Sequence, residues 1–420
     1  MKIAIITSSF YPVLDGVTVA VYNRVQQLSK LGHEVKIFCP EYSEIEHIYP
    51  NWQDYTGEIL PGIEVISLLS TRSLALDFER DVIGKSYSLV IKELNLFQPD
   101  IIHVDEAERL SFCFLKKTGV KFAKQHNIPC VAFFHTNYLE YFDDYFHLPL
   151  GLNKFIKRVL NLIFTKIYNS YDLTLVSSKA TEEKLATRGI KNLRYAELLG
   201  LDLEKFNNIA RTSNFFAEKY DIKGIEDKIK LIFIGRLTPD KGWNFGLKAF
   251  TQLPPEIVAK IAFIIVGNGD LSDRETAAYA DRIQTELTKL TSNVYLLGRV
   301  APHLIPELLT NSDIFITNSE KETRGLAVIE ACAAGIPIIA PNAGGIRDTI
   351  VGGENGLLYQ PQNQEQFISK LILSIEDDSL RNTIGRKAKN SIQQLSWQQT
   401  TNNLINIWRQ EIDRRNNELL

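Results

Sequence analysis

Short runs of β-branched and aliphatic residues alternate along this chain with longer stretches in which apolar positions return every third or fourth residue. The short runs suit strands buried on both faces and the longer stretches suit amphipathic helices, so their alternation is the pattern of parallel βαβ units. In the first half the pattern predicts strands over Lys2–Thr7, Val35–Phe38, Ile63–Ser67, Ile101–Val104, Cys130–Phe134 and Leu173–Ser177, with helices such as Val19–Lys30 and Lys116–His126 between them. A second series predicts strands over Lys230–Ile234, Ala262–Val266, Val294–Leu297, Ile314–Thr317, Ile336–Ala340 and Gly356–Leu358. The expected fold class is α/β, as two doubly wound domains. Between them Leu201–Asp227 is polar and reads as a linker carrying a short helix at Phe215–Tyr220. The stretch Trp397–Glu418 reads as a long polar helix whose Leu404, Ile405, Trp408 and Ile412 form one stripe that has to dock.

Length agrees with two domains, because 420 residues exceed what one hydrophobic core supports and suggest halves of roughly 200 residues. With 45% hydrophobic and 23% charged residues, disorder and coiled coil are excluded. Lys and Arg total 47 against 50 Asp and Glu, a net charge of -3, so no global field gathers nucleic acid and none is expected as a partner. Cys39, Cys113, Cys130 and Cys332 lie far apart with no C-x-x-C pair, which suits neither a disulfide framework nor a zinc site. The chain enters the strand-like run Ile3–Ile6 with no secretory leader pattern, and no apolar run reaches about 18 residues, so a cytoplasmic location is expected.

In open α/β sheets ligands gather beyond the carboxyl ends of the strands, which directs attention to the loops that follow them. The richest runs from Thr317 to Pro337: a polar loop with Glu322, then Gly325 opening an Ala-rich helix that contains Glu330 and closes at Gly335. First-turn amides at Gly325, Leu326 and Ala327, with the helix dipole, favour an anion such as a diphosphate. Carboxylates at Glu322 and Glu330 beside such an anion suit hydroxyl groups of a sugar and a ribose. Gly235-Arg236 and Lys241-Gly242 follow the first strand of the second domain and offer a guanidinium and an ammonium to the same diphosphate. In the first domain, His135 follows the strand Cys130–Phe134 directly, and Gly16 lies in the loop after the first strand, where backbone can approach a phosphate closely. Gly267-Asn268-Gly269 is only part of a dinucleotide fingerprint. Gly344-Gly345 is either a close-approach backbone or a structural turn. For each of these groups taken singly, a solvated or structural side chain is the alternative.

The spacing Glu322-x7-Glu330 between a strand end and the helix close at Ala334-Gly335-Ile336-Pro337 resembles the signature of the family-four retaining glycosyltransferases. Segments matching that family follow in order: Gly16–Thr18, Leu31–Val35, Pro99–His103, His135–Tyr138, Val176–Ser178, Gly235–Gly242, Ile265–Gly269 and Gly344–Asp348. The spacing of His135 and Thr136 to Tyr141 and Tyr145 is similar to that of the sulfoquinovosyl, diacylglycerol-glucosyl and mannosyl transferase subgroup. The chain departs from the family at Asp15, at Gly200-Leu201-Asp202 and at Thr323-Arg324, where Arg324 either adds charge at the diphosphate or faces solvent.

The resemblance implies a GT-B fold of two Rossmann-like domains facing a central cleft. Its domains are an acceptor-binding domain over 1–203, a nucleotide-sugar domain over 204–392, and a C-terminal helix over 393–420 crossing back to the first. It implies transfer of a sugar from a nucleotide diphosphate sugar, UDP- or GDP-linked, to a lipid or saccharide hydroxyl with retained configuration. His135, Arg236, Lys241 and Glu322 are the implied catalytic residues, and Gly16, Gly235, Gly267, Gly325, Leu326, Ala327 and Glu330 the implied donor-binding residues. No Asp-x-Asp pair stands at a strand end in a metal-ligand setting, so the two cations and the helix N-terminus are expected to replace a divalent ion, with no cofactor. Alternatives are another sugar-nucleotide enzyme on the same scaffold, an epimerase or a phosphorylase, or a non-catalytic nucleotide-sugar-binding module. The stretch 153–166 mixes Lys154, Lys157, Arg158 and Lys166 with Phe155, Ile156, Val159, Leu160, Ile163 and Phe164. It reads either as a peripheral contact with the inner face of a membrane or as a helix burying its apolar side in the first domain.

Overall fold

The computed structural model describes residues 1–13, 15–73, 79–135, 139, 150–267 and 274–418. The chain divides into two compact units, one made of 1–200 with 397–420 and the other of 201–396.

The first unit is built on β1 (Lys2–Thr7), β2 (Glu34–Pro40), β3 (Gly57–Leu60), β4 (Ile63–Leu68), β5 (Ser70–Arg72), β6 (Arg80–Val82), β7 (Ile101–Asp105), β8 (Cys130–Phe134), β9 (Leu173–Val176) and β10 (Leu193–Tyr195). Eight of these form one sheet in the order β10-β9-β8-β7-β1-β2-β4-β3, and β5 pairs separately with β6. Every pairing in the large sheet is parallel except that of β3 with β4. Helices cover both faces of a parallel sheet, so its central strands read as unbroken apolar runs; Ile3, Ala4, Ile5 and Ile6 are all fully buried. That is why the periodicity found β1, β7 and β8 within a residue. It missed β3, β5, β6 and β10, which are short and mostly part-exposed, and the helix Ala107–Phe114. The helix expected from Lys116 begins at Val120, after Gly119 takes a left-handed φ of 75°.

The second unit carries β11 (Ile229–Ile234), β12 (Ile261–Val266), β13 (Val294–Gly298), β14 (Ile314–Ile316), β15 (Ile338–Pro341) and β16 (Leu357–Tyr359). They form one sheet in the order β13-β12-β11-β14-β15-β16, parallel throughout. The order reverses between β11 and β14, which makes a topological switch point there.

The stretch expected to be a linker is not one. Its helix Phe215–Tyr220 is present, but Leu201, Phe206, Phe215, Phe216, Ile222 and Ile225 are buried in the second unit's core. Polar residues between those positions masked a periodicity that burial requires. The chain returns to the first unit at Trp397, where the helix Trp397–Asn417 buries Leu404, Ile405 and Trp408 and packs against the helix Gly16–Lys30. Gly200 permits this docking: a Cβ there would lie 2.7 Å from the Trp397 backbone.

Candidate functional site

In the second unit the loops after β11 and β14 flank the switch point, and their side chains meet. Lys241 Nζ lies 2.6 Å from Glu322 Oε1, joining residues from the two loops, with both side chains about a fifth exposed. Beneath them Asp240, 1% exposed, lies 3.9 Å from Lys241 Nζ and 4.0 Å from Arg236 Nη2. Burial acts to raise the Asp240 carboxyl, but Lys241 and Arg236 outweigh it and hold the group below its usual range. Asp240 thus gathers the two cations on one buried carboxylate, a role that the sequence alone does not reveal. Its only trace there is a carboxylate between two cations of a short turn.

Glycines bring these loops together. A Cβ on Gly242, whose φ is 71°, would collide with the Asn318 backbone, and one on Gly246 with the Asn318 amide. Asn318 in turn accepts from the Tyr359 hydroxyl at 3.0 Å. A Cβ on Gly344 or Gly345 would strike the carbonyl of Glu322 or Thr323, and the Gly345 N–H donates to Glu322 O at 2.8 Å. Of the two readings of that pair, the structure shows packing beneath the Glu322 loop. Gly267 likewise lacks a side chain because its Cβ would overlap the Gly235 carbonyl, whereas a Cβ on Gly235 would meet nothing within 4 Å. Asn268 and Gly269 lie outside the described residues.

Gly325, in a left-handed conformation, caps the helix Leu326–Ala334, so Leu326 and Ala327 belong to the first turn, whose amides have no acceptor within the helix. Arg324 is 3% exposed, which removes the alternative that it faces solvent. Glu330, half-buried one turn further on, has its carboxyl pushed up to about 7, with burial the only cause. Carboxyls perturbed in this way concentrate at functional sites. Among the described residues no group of three or more His, Cys, Asp or Glu is placed to hold a metal ion.

In the first unit, His135 leaves the end of β8 and its Nε2 lies 2.6 Å from Asp105 Oδ1, at the end of the neighbouring β7. The rest of its predicted motif, Thr136–Tyr138 with Tyr141 and Tyr145, lies outside the described residues. Gly16 is not in a loop: it is the exposed first residue of the helix Gly16–Lys30. Asp15 is that helix's N-cap, its Oδ1 accepting from the Thr18 N–H at 2.7 Å, which gives the acid a structural use at this position.

With this geometry in view, two family profiles account for most of the chain: one described as "Glycosyltransferase Family 4" over residues 14–196 and one described as "Glycosyl transferases group 1" over residues 216–391. The chain is a glycosyltransferase, a Family 4 half followed by a group 1 half. It is 28% identical over 322 residues to a sulfoquinovosyl transferase of Arabidopsis thaliana, covering 76% of this chain and 58% of that protein. It is 26% identical to a GDP-mannose-dependent alpha-mannosyltransferase of Mycobacterium tuberculosis, over 94% of this chain and 93% of that one. Against the alpha-monoglucosyldiacylglycerol synthase of Acholeplasma laidlawii the identity is 24%, over 100% of this chain and 99% of that one. The solved structure of sucrose-phosphate synthase from Thermosynechococcus elongatus superposes with a TM-score of 0.77 at 20% identity, covering 97% of this chain and 98% of that one. The fold is GT-B.

This glycosyltransferase also shows where 153–166 sits. The helix Leu150–Tyr168 buries Ile167 and Tyr168 and packs Phe164 edge-on to Phe112. Its opposite stripe, Leu152, Phe155, Val159, Leu162 and Ile163, is exposed, with Phe155 at 65%. Phe112 and Leu115 extend the exposed apolar surface, and Lys154, Arg158, Lys166, Lys116 and Lys117 are exposed on the same two segments. One side of the helix is therefore core, as the second reading expects, and the other is an apolar and basic face. No described helix is long and apolar enough to cross a membrane.

Proposed function

We propose that this glycosyltransferase moves a sugar from a nucleotide diphosphate sugar, UDP- or GDP-linked, to a lipid or saccharide hydroxyl with retention of configuration and without a metal ion or other cofactor. The observation that carries the reading is the gathering of Arg236, Lys241 and Glu322 at the switch point of the second sheet, in the loops that lead to Gly325. Departure of the nucleoside diphosphate builds negative charge on phosphate. Preorganised cations and amides directed there contribute on the order of 3 kcal/mol for each donor. The open space at Gly235 suits close approach of a phosphate to backbone. Glu322 accepts from hydroxyls of the donor sugar and Glu330 from those of the ribose. His135 presents Nδ1, the nitrogen that Asp105 does not engage, to a hydroxyl.

Attack comes from the front face: the C1–O bond to phosphate breaks on the side where the acceptor oxygen bonds, and the departing phosphate oxygen takes the acceptor's proton. Similarity over the whole chain to a monoglucosyldiacylglycerol synthase supports a lipid acceptor. The exposed apolar and basic stripe supports peripheral binding to the anionic cytoplasmic face of a bilayer.

The test is incubation of the purified protein with UDP-, GDP- and ADP-sugars in the presence of a chelator, following hydrolysis and thermal stability. A donor at a hundred times its Kd adds about 2.7 kcal/mol of stability. Failure of every donor to shift the transition removes the reading, and an inverted anomeric signal in the product removes retention.

A further inference from the structure

Three tyrosines meet beyond the carboxyl end of β1, where the strand order of the first sheet reverses. On one side of β1 lie β2 and β4, on the other β7, β8 and β9, so the loop after β1 borders a second switch point. Tyr11 lies in that loop, Tyr55 ends the short turn Trp52–Tyr55 that follows β2, and Tyr22 is on the helix Gly16–Lys30. The Tyr11 and Tyr55 rings are stacked, their centroids 5.1 Å apart and their planes 20° from parallel. Tyr22 meets Tyr11 edge to face at 4.6 Å.

The core tyrosines of this unit have bonded hydroxyls: Tyr42 donates to the Phe10 carbonyl at 3.1 Å, Tyr171 to that of Thr118 at 3.0 Å, and Tyr168 to Glu108. Tyr11, Tyr22 and Tyr55 are only half-buried. Among the described residues nothing is hydrogen-bonded to their hydroxyls, and none of these hydroxyls is closed off from water. A tyrosine used only as core buries its ring and pairs its hydroxyl. These three do neither in full. Apart from Tyr11, Tyr55 has no ring partner among the described residues, so one of its faces is free of aromatic contact.

Such a surface fits a sugar ring. One side of a pyranose is a patch of C–H groups that lies on the electron-rich face of an aromatic ring, while its rim of hydroxyls donates and accepts. Burial, with Tyr55 and Tyr22 beside it, pushes the Tyr11 hydroxyl up to about 12, so it stays a neutral donor and acceptor at any working pH. The charges that act on this loop are negative. Asp15 raises the Tyr11 hydroxyl further, and Glu106 adds to the burial that raises Asp15. Arg24, on the same helix as Tyr22, is buried and engaged by Asp105 at 3.2 Å. Carboxylates in this setting accept from hydroxyls and repel a phosphate.

We propose that Tyr55, with Tyr11 and Tyr22, forms a subsite for an uncharged pyranose ring carried by the acceptor, so that the enzyme extends a molecule already bearing a sugar. The inference rests on the transfer to a hydroxyl acceptor given above. An earlier glycosyl transfer must then supply the acceptor, whose ring belongs to a free saccharide or to the headgroup of a glycolipid.

Two measurements on the full-length protein test this. The first needs no donor: saturation is transferred by NMR from the protein to millimolar methyl glucosides and methyl galactosides. Signal is expected on the ring C–H protons with the parent and with Tyr55→Phe, which keeps the aromatic face, and a loss of about fivefold or more with Tyr55→Ala. The second follows transfer to a methyl glycoside, to a monoglycosyl lipid in vesicles and to diacylglycerol in vesicles, the first two telling a free saccharide from a headgroup. Tyr55→Ala is expected to raise the KM of the glycosylated acceptor about tenfold, with the donor KM within about twofold. If Tyr55→Ala does not fold, Tyr55→Leu removes the aromatic face and carries both readouts. No sugar signal with the parent, or an undiminished one in a folded Ala or Leu variant, overturns the proposal. So does preferred transfer to diacylglycerol or to a sugar phosphate. Failure of every nucleotide sugar to bind overturns the reading above instead, and the donor-free sugar signals still decide this one.

Discussion

Glu330 offers a measurement in which stability and function move in opposite directions. Its carboxyl rises from an ordinary 4.5 to about 7 in the fold, with burial as the cause. Each tenfold change in an acid constant is worth about 1.4 kcal/mol, so the ionised form costs the folded state at most about 3 kcal/mol. The folded protein holds this proton more tightly than the unfolded chain, so between the two values stability falls as pH rises. The contribution is fully present below about pH 4.5 and is lost by about pH 8. Glu330→Gln removes the ionisation and keeps the shape. Urea unfolding of parent and variant is therefore expected to give similar stabilities near pH 5 and a more stable variant near pH 8, by up to about 3 kcal/mol. The same variant is expected to bind nucleotide sugar more weakly at pH 8, because a carboxylate accepts two ribose hydroxyls better than an amide does. A variant that is less stable at pH 8, or one with the parent's pH slope, refutes the reasoning. A more stable variant with unchanged donor affinity refutes the ribose assignment alone.

Other consequences can be checked alongside. Lys241→Ala and Arg236→Ala are each expected to lower kcat by about a hundred- to a thousandfold, measured under donor saturation; losses below tenfold would remove them from leaving-group stabilisation. Gly345→Ala drives a Cβ into the Thr323 carbonyl and to 2.9 Å from Arg324 Cα, so thermal unfolding should show a loss of about 2 kcal/mol. If Gly345 instead only served a ligand, the apo protein would keep its stability. Phe155→Glu with Leu162→Glu on the exposed stripe is expected to abolish co-sedimentation with anionic liposomes at low salt and to leave unfolding unchanged. Retained sedimentation would place any membrane contact elsewhere.

A strand buried on both faces must be apolar along its whole length, and for that reason β1, β7, β8 and β12 could be found from composition and spacing before any packing was known. The loops that follow them were legible for a related reason: glycine, arginine, lysine and glutamate at strand ends have few structural uses in such number, and their order resembles one family. Strand order is a different kind of fact. It arises from which apolar faces bury one another, and it sets β11 beside β14, so that Lys241 and Glu322, 81 positions apart, come within an ion pair's reach. Charge state and neighbourhood also belong to the folded chain. Burial, not residue type, makes Glu330 a weak acid, and the nearby Lys241 and Arg236, not burial, hold the Asp240 carboxyl low. The glycines at 267, 344 and 345 owe their absent side chains to neighbouring backbone that no spacing rule foretells. So does the reach of Trp408 to His103 across 305 positions, since side chains distant along a chain are brought together only when helices and sheets close over a common core.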